Sequence, residues 1–461
     1  MLPCRQPAGP AHPLPRGNPA ADPPVKHVIE LLARGPSAEA DRHPLAWSDT
    51  RRRALQETAA GLATAATIRY QLEAKLAQAL LQCAEGRFGE AEAEILRLLG
   101  EAIHPCEIDD SIFIDFAEAL FTVQRFDLLA ALLGDRCGFA RPVEIIARKG
   151  WPGPRRVGWE VAASGTHRFT VDAQAFAGDD TRLEILLFRW MFPLWSHYSR
   201  QPVQEPGTVA INLGDVGDVP GLAACDSRPD RFLVPDPIFV PSHGHRAVRA
   251  DMAAAPVPWE ARRPVAFWRG NTTGVPRTPG DWRSLERVRL CELAARPEHA
   301  EVFDAGLSGI VQFDDPGIAA AIGAAGLLRD FVPAPQWNRY KLQIDIDGNT
   351  NAWAGLLYRL LTGSPVLKVE SSRGLMQWYY DRLIPWRNYV PVAPDLSDLA
   401  DKARWLLHHD SAARAIGEAG RALADDMTFE REAERAMPVI AAAFRYFAGH
   451  RDGVGPYGRS A

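Results

Sequence analysis

The stretch Lys341–Val392, KLQIDIDGNTNAWAGLLYRLLTGSPVLKVESSRGLMQWYYDRLIPWRNYVPV, reads as a strand, a polar loop, a helix and a second strand. Leu342 to Ile346 alternates apolar and polar residues and runs into Asp347-Gly348-Asn349-Thr350-Asn351. Glycine there permits a tight turn, and Asn or Thr can cap the helix that follows. That helix is predicted from about Ala352 to Leu361 and stops at Thr362-Gly363-Ser364-Pro365, after which Val366-Leu367-Lys368-Val369 resumes as a strand. In open α/β sheets ligands sit beyond the carboxyl ends of the strands, and helix N-termini attract phosphate through free N–H groups and the helix dipole. A nucleotide diphosphate suits such an edge.

Two more blocks lie upstream, INLGDVGDVP at Ile211–Pro220 and FWRGNTTG at Phe267–Gly274. Together with the long block through Leu383-Ile384-Pro385-Trp386 they resemble glycosyltransferase family 90 over roughly Ile211 to Met427, nearly half of the chain. That family includes bacterial lipopolysaccharide- and capsule-modifying transferases and eukaryotic protein O-glucosyltransferases. The resemblance implies an α/β fold of the GT-B type, with two Rossmann-like domains facing a cleft. It also implies a UDP-sugar donor, inversion at the anomeric carbon, no metal, and a hydroxyl of a glycan or glycolipid as acceptor.

Inverting transfer needs a base that takes the acceptor's proton while the hydroxyl attacks opposite the departing nucleotide. Family members place that base in an Asn-x-x-Asp pattern at a strand end. Here it matches Asn212-Leu213-Gly214-Asp215 and makes Asp215 the candidate. Asp218 is the competitor, and a lone loop aspartate is more often a turn or capping residue. The arginine that usually precedes the base is Gly214 here. The leaving diphosphate must be met by fixed donors. An arginine after a strand is more often an ion-pair partner, but the resemblance moves Arg269 toward phosphate, with Gly270, Asn271 and Thr272 offering close backbone approach and polar donors. Lys341, Asp347, Gly348, Asn349, Thr350, Asn351 and Trp353 complete the expected cradle. Eukaryotic members carry an arginine in the first turns of the following helix; Trp353-Ala354-Gly355 stands here instead, which shifts the neutralising charge to Arg269 and Lys341.

Other metal readings fail on spacing. Counting Asp345 as position one of a calcium loop puts Thr350 where glycine is required and Leu356 where a bidentate Glu is required. His243-Gly244-His245 lacks a third placed ligand. Trp378, Tyr379, Tyr380 and Trp386 fit packing better than stacking on a sugar or base.

Composition bounds the rest. The chain has 461 residues, 47% hydrophobic and 24% charged, which is ordinary for two or three globular domains. A formal net charge of -5 supplies no basic field for a polyanion, so nucleic acid is not an expected partner. Six scattered cysteines without CxxC spacing fit a reducing compartment. No run approaches the ~18 apolar residues of a spanning helix. The expected location is cytoplasmic, with access to the inner membrane surface.

Residues 1–24, rich in Pro and Gly, read as a disordered tail. Over 25–147 the pattern is helical, and ALLQCAEGRFGEAEAEILRLL echoes DFAEALFTVQRFDLLAALLGDR in the manner of tetratricopeptide repeats. Such helices either dock a protein partner or acceptor, or cap the fold. An N-terminal Rossmann-like acceptor domain is predicted over 148–260, a C-terminal Rossmann-like donor domain over 261–428, and a helix with a tail over 429–461. The competing reading is a binding protein whose helical repeats recruit a partner while a degenerate GT-B scaffold has lost activity. A generic Rossmann enzyme lacks a GxGxxG or a P-loop to support it.

Overall fold

Two groups of strands organise the chain, which the computed structural model describes over residues 48–62, 68–102, 110–153, 155–172, 191–228, 231–313 and 315–449, with residue 31. The tail read over 1–24 lies outside them. Among the described residues, those up to Ala223, together with those from Met437, group into one compact unit, and Ala224–Ala436 into another.

The first unit opens with helices. Asp49–Leu62 packs on Ile68–Ala84, and two helical hairpins follow, Ile68–Ala84 with Phe88–Ala102 and Asp110–Thr122 with Phe126–Cys137. Gly86 and Gln124 take left-handed φ values of 83° and 61° in the two turns, so the echo in sequence corresponds to a repeated turn. Arg125, beside the second turn, reaches Glu92 at 3.2 Å, both buried.

The helical stretch read as far as 147 ends at Cys137, and residues Val143–Arg148 are a strand, β1. It is followed by β2 (Arg156–Val161), β3 (His167–Asp172), β4 (Gly207–Asn212) and β5 (Leu222–Ala223). These lie in the order β1-β3-β2-β4-β5, with β2 antiparallel to both neighbours. The sheet of the Rossmann-like domain expected over 148–260 is mixed, with β1 and β3 parallel and β2 antiparallel to its neighbours. The reason is chain length: β2 and β3 are joined by a five-residue turn closed by Ala162 N donating to Thr166 O at 3.0 Å, and a parallel crossover needs a dozen residues or more. Buried Trp159 anchors this unit. It stacks on Phe169 and meets Trp195, Tyr198 and, from the far end of the final helix Phe429–Gly449, Phe444.

The second unit contains β6 (Cys225–Asp226), β7 (Phe232–Leu233), β8 (Arg263–Asn271), β9 (Phe303–Gly309), β10 (Tyr340–Asp345), β11 (Val366–Val369), β12 (Met376–Gln377) and β13 (Val390–Val392). Five of them form a wholly parallel sheet in the order β13-β11-β10-β8-β9. Chain order reverses between β8 and β10: from β8 the chain moves outward to β9, then returns to build β10, β11 and β13 on the other side. In doubly wound sheets the crevice beyond the carboxyl ends at such a reversal holds the ligand. The loops that meet there follow Asn271 and Asp345.

Both faces of this sheet are covered. Leu342, Ile344 and Ile346 of the β10 segment enter one core with Trp268, Val288 and Leu367. Gln343 and Asp345 point the other way, fully buried beneath helix Ala354–Leu361, whose Leu356, Leu357 and Leu360 join a second core. The alternation in the sequence thus divides two buried faces. The helix begins at Ala354, two residues later than predicted, and ends as read, with Gly363 at φ 69° beyond its last turn.

Candidate functional site

Asn271, Thr272, Thr273 and Gly274 leave the carboxyl end of β8, while Asp347–Asn351 leave β10 beside them. Gly274 N and Gln312 Nε2 both donate to Asn349 Oδ1, at 3.0 and 2.9 Å, which joins the two loops. Thr272 is tied to the far side, donating to Val311 O at 2.7 Å and accepting from Val311 N at 2.8 Å.

Arg287 holds the crevice together. It lies one residue inside helix Glu286–Ala294 and donates to Asp347 O at 3.0 Å, Asn271 O at 3.3 Å, Ile346 O at 3.5 Å and the Thr273 hydroxyl. All four acceptors are uncharged. Gly348 exists for this contact, because a Cβ there would sit 2.8 Å from Arg287 Nη2. Burial first, and then the neighbouring Arg359, push the Arg287 guanidinium down to about 10, which leaves it a cation at neutral pH. Arg359 adds charge from below. It stacks over Trp337 at 4.6 Å, donates back to Gly355 O at 2.9 Å and lies 3.8 Å from Asp345. Arg359 thus folds back onto the helix's first turn, where its charge is paired with Asp345. Gly355 makes room, since a Cβ there would be 2.9 Å from Arg359 Nη1.

The loop's own side chains are inward-facing. Asn351 Nδ2 donates to Asp347 Oδ1 at 3.1 Å, and Cys225 Sγ contacts Asn351 Oδ1 at 3.1 Å. The helix cap expected from Asn or Thr is therefore absent, and Trp353 precedes the helix at φ 37°, a backbone region unfavourable for any residue but glycine. Asp347 Oδ2 is buried without a hydrogen-bond partner among the described residues, and Thr350 lies beside the Cys225 thiol.

Two expected ligands stand elsewhere. Lys341 is at the amino end of β10, opposite the crevice, paired with Asp410 and 5.1 Å above the Trp259 ring. Six residues of extended chain separate it from Asp347, roughly 20 Å at strand rise. Arg269 alternates away from the crevice: it bonds the Asp304 carboxylate, Asp304 O at 2.8 Å, Trp268 O at 2.9 Å and Asp330 O at 3.2 Å. The strand runs on to Asn271, so Arg269 lies inside β8 rather than after it, and it ties β8 to β9. Gly270 is glycine because a Cβ would meet the Trp268 ring at 2.6 Å, rather than for approach to a ligand. Arg269→Ala is accordingly expected to lower stability by about 1.5–3 kcal/mol, the range for hydrogen bonds to charged groups, with UDP affinity unchanged once folded; thermal melts and calorimetry on one preparation check both halves.

In the other unit, Asn212 closes the loop after β4, accepting from Asp218 N and Val219 N, each at 3.3 Å, and donating to Val219 O and Leu222 O at 3.1 Å. Asp218 is engaged by Arg156 at 3.0 Å. Asp215 is exposed at the loop's apex, and no described group bonds its carboxylate. Of the remaining candidates, His245 is buried between Phe239 and Tyr358, and Trp378 donates to buried Glu432 at 2.9 Å; both pack. Trp386 packs edge-on against Trp405, ring centroids 5.4 Å apart, while 45% of its surface stays exposed.

Sequence reading missed Arg287, although a signal was present. Arg287, Leu290, Cys291 and Ala294 share one helical stripe, and the latter three are buried, so a cation sits where an apolar residue belongs.

Residues 244–431 match the family model described as Glycosyl transferase family 90. Protein O-glucosyltransferase 3 of Rattus norvegicus is 30% identical over 236 residues, 47% of this chain and 42% of that protein. Uncharacterized protein 035R of Invertebrate iridescent virus 3 is 31% identical over 172 residues, 35% of this chain and 14% of that protein. The chain thus spans less than half the length of these curated relatives. Among solved structures, Anabaena Alr3699/HepE in complex with UDP-glucose is similar over 77% of this chain and 83% of its own, at 12% identity and a TM-score of 0.29.

Proposed function

The chain belongs to glycosyltransferase family 90 through residues 244–431, and on that premise we propose that it transfers a sugar from a UDP-sugar to an acceptor hydroxyl, with inversion. The observation that supports this most is Arg287. Its hydrogen bonds all go to uncharged oxygens, the carboxylates that act on it are those of Asp345, Asp347 and Glu286, and it stands at the reversal point of a parallel sheet, where an anionic ligand would meet it. Diphosphate beside Thr273, Gly274 and the Asp347–Asn351 loop would lie against it, and the leaving group's growing charge would be met by a fixed guanidinium. Asp215 serves as the base in this reading, since Asp218 is already held by Arg156. The finer fold reading is GT-B.

The acceptor on this reading is a surface glycan, a lipopolysaccharide or capsule precursor. A protein hydroxyl is the second reading, favoured by the similarity to proteins named Protein O-glucosyltransferase 3. Among the described residues no helix is long and apolar enough to cross a membrane.

Binding of nucleotides tests the donor assignment. Titration calorimetry against UDP, UDP-glucose, UDP-xylose, UDP-galactose and GDP-sugars is expected to give binding for UDP and for one UDP-sugar above the rest. Equal affinity for GDP, or no binding of any nucleotide, would remove the donor assignment and leave the chain as a binding scaffold.

A further inference from the structure

The turn that follows β11 carries a second arginine to the same loop. Ser371 Oγ accepts from Leu375 N at 3.1 Å, Gly374 N donates to Ser371 O at 3.1 Å, and Gly374 adopts φ 67°, so the turn is closed on itself. Glu370 N is held by Val392 O at 2.9 Å, and the Ser372 hydroxyl donates to Glu286, the residue before Arg287. From this pinned turn Arg373 reaches back and donates to Gly348 O and Asn349 O, each at 2.8 Å.

Four successive carbonyls of one loop are thereby covered by two guanidinium groups, Ile346 and Asp347 by Arg287 and Gly348 and Asn349 by Arg373. The two arginines differ in one respect. Arg287 is partly enclosed, whereas Arg373 is exposed. Neither hydrogen bond of Arg373 goes to a carboxylate, so its charge is also uncompensated by these contacts. Solvent-facing bonds to carbonyls are worth little net, while bonds to a phosphate oxygen are about twice as strong as neutral ones.

We propose that Arg373 is a second diphosphate-binding cation of the donor site, which exchanges the Gly348 and Asn349 carbonyls for the outer phosphate when a nucleoside diphosphate enters. The inference rests on the donor reading above. Because the turn is fixed at both ends, the side chain moves and the backbone stays. Arg373 stands on the solvent side of the loop and Arg287 on the more enclosed side, so a diphosphate there would lie between two cations.

The full-length protein and its Arg373→Gln and Arg373→Lys variants would be titrated with uridine, UMP and UDP at low and moderate salt, with melting curves alongside. For Arg373→Gln the expected result is unchanged uridine affinity, a small loss for UMP and a loss of about tenfold for UDP that shrinks as salt screens the exposed charge. Arg373→Lys is expected to recover part of the UDP loss, since it keeps the charge but not the planar fork. Equal losses for all three ligands would make Arg373 a staple of the loop and overturn the proposal, as would no loss for any. Wild-type protein that binds no UDP would overturn the donor reading, and this inference with it; wild-type binding with a variant indistinguishable from it would overturn this inference alone.

Discussion

Asp215→Asn is expected to lower sugar transfer at least about 100-fold while leaving UDP affinity unchanged, the pattern of a lost general base. Asparagine preserves size and polarity but cannot accept the acceptor's proton. The loop should keep its shape, because its bonds run through Asn212 and through the Arg156–Asp218 contact rather than through the Asp215 side chain. Asp218→Asn tests the same point from the other side. It weakens an exposed ion pair, so its expected cost is small, about 0–1 kcal/mol of stability and little transfer. Transfer by Asp215→Asn at the wild-type rate would remove this residue from the chemistry. Loss from Asp218→Asn alone would move the base three residues along the loop.

Arg287→Gln carries the second large effect. Losing one charge-assisted contact to a diphosphate is worth about 1.5–3 kcal/mol, or roughly a 10- to 100-fold weaker UDP affinity. Arg287 also braces four oxygens of the crevice, so some loss of stability will accompany the substitution. Ligand choice separates the two roles. If the guanidinium meets phosphate, affinity for UDP falls far more than affinity for uridine, and Arg287→Lys gives an intermediate value because a point charge replaces a planar fork. Parallel losses for UDP and uridine would show a bracing role only. Unaltered UDP affinity in a folded Arg287→Gln protein would place the diphosphate elsewhere.

The contrast between Arg269 and Arg287 shows how far local reading reaches. Arg269 lies within β8 and Arg287 follows it in the chain, and the block around Arg269 is the more distinctive in sequence. Which of the two faces the crevice depends on strand pleat and on the register with β9, which puts Asp304 opposite Phe267 and within reach of Arg269. A register one residue different would exchange the faces of that strand. Arg287 left a trace as a cation on an apolar stripe, whereas Arg373 left none, because its carbonyl partners lie 24 and 25 residues away across a loop.

The sequence by itself determined the βαβ edge from Tyr340 to Val369, the glycine stop at Gly363, the polar loop Asp347–Asn351 and the resemblance to glycosyltransferase family 90, because each depends on neighbours within a few residues or on a spacing that chance rarely reproduces. Tertiary structure alone decided which charges converge on that loop. It placed Lys341 at the wrong end of its strand, gave Arg269 to Asp304, folded Arg359 back over Gly355, and brought Arg287 and Arg373 onto consecutive carbonyls. It also decided that β2 runs antiparallel between β3 and β4, since pairing is set by where the chain can return. The physical reason is common to all of these: backbone conformation is encoded locally, while the partner of a long charged side chain is fixed by strand order, register and the faces that packing buries.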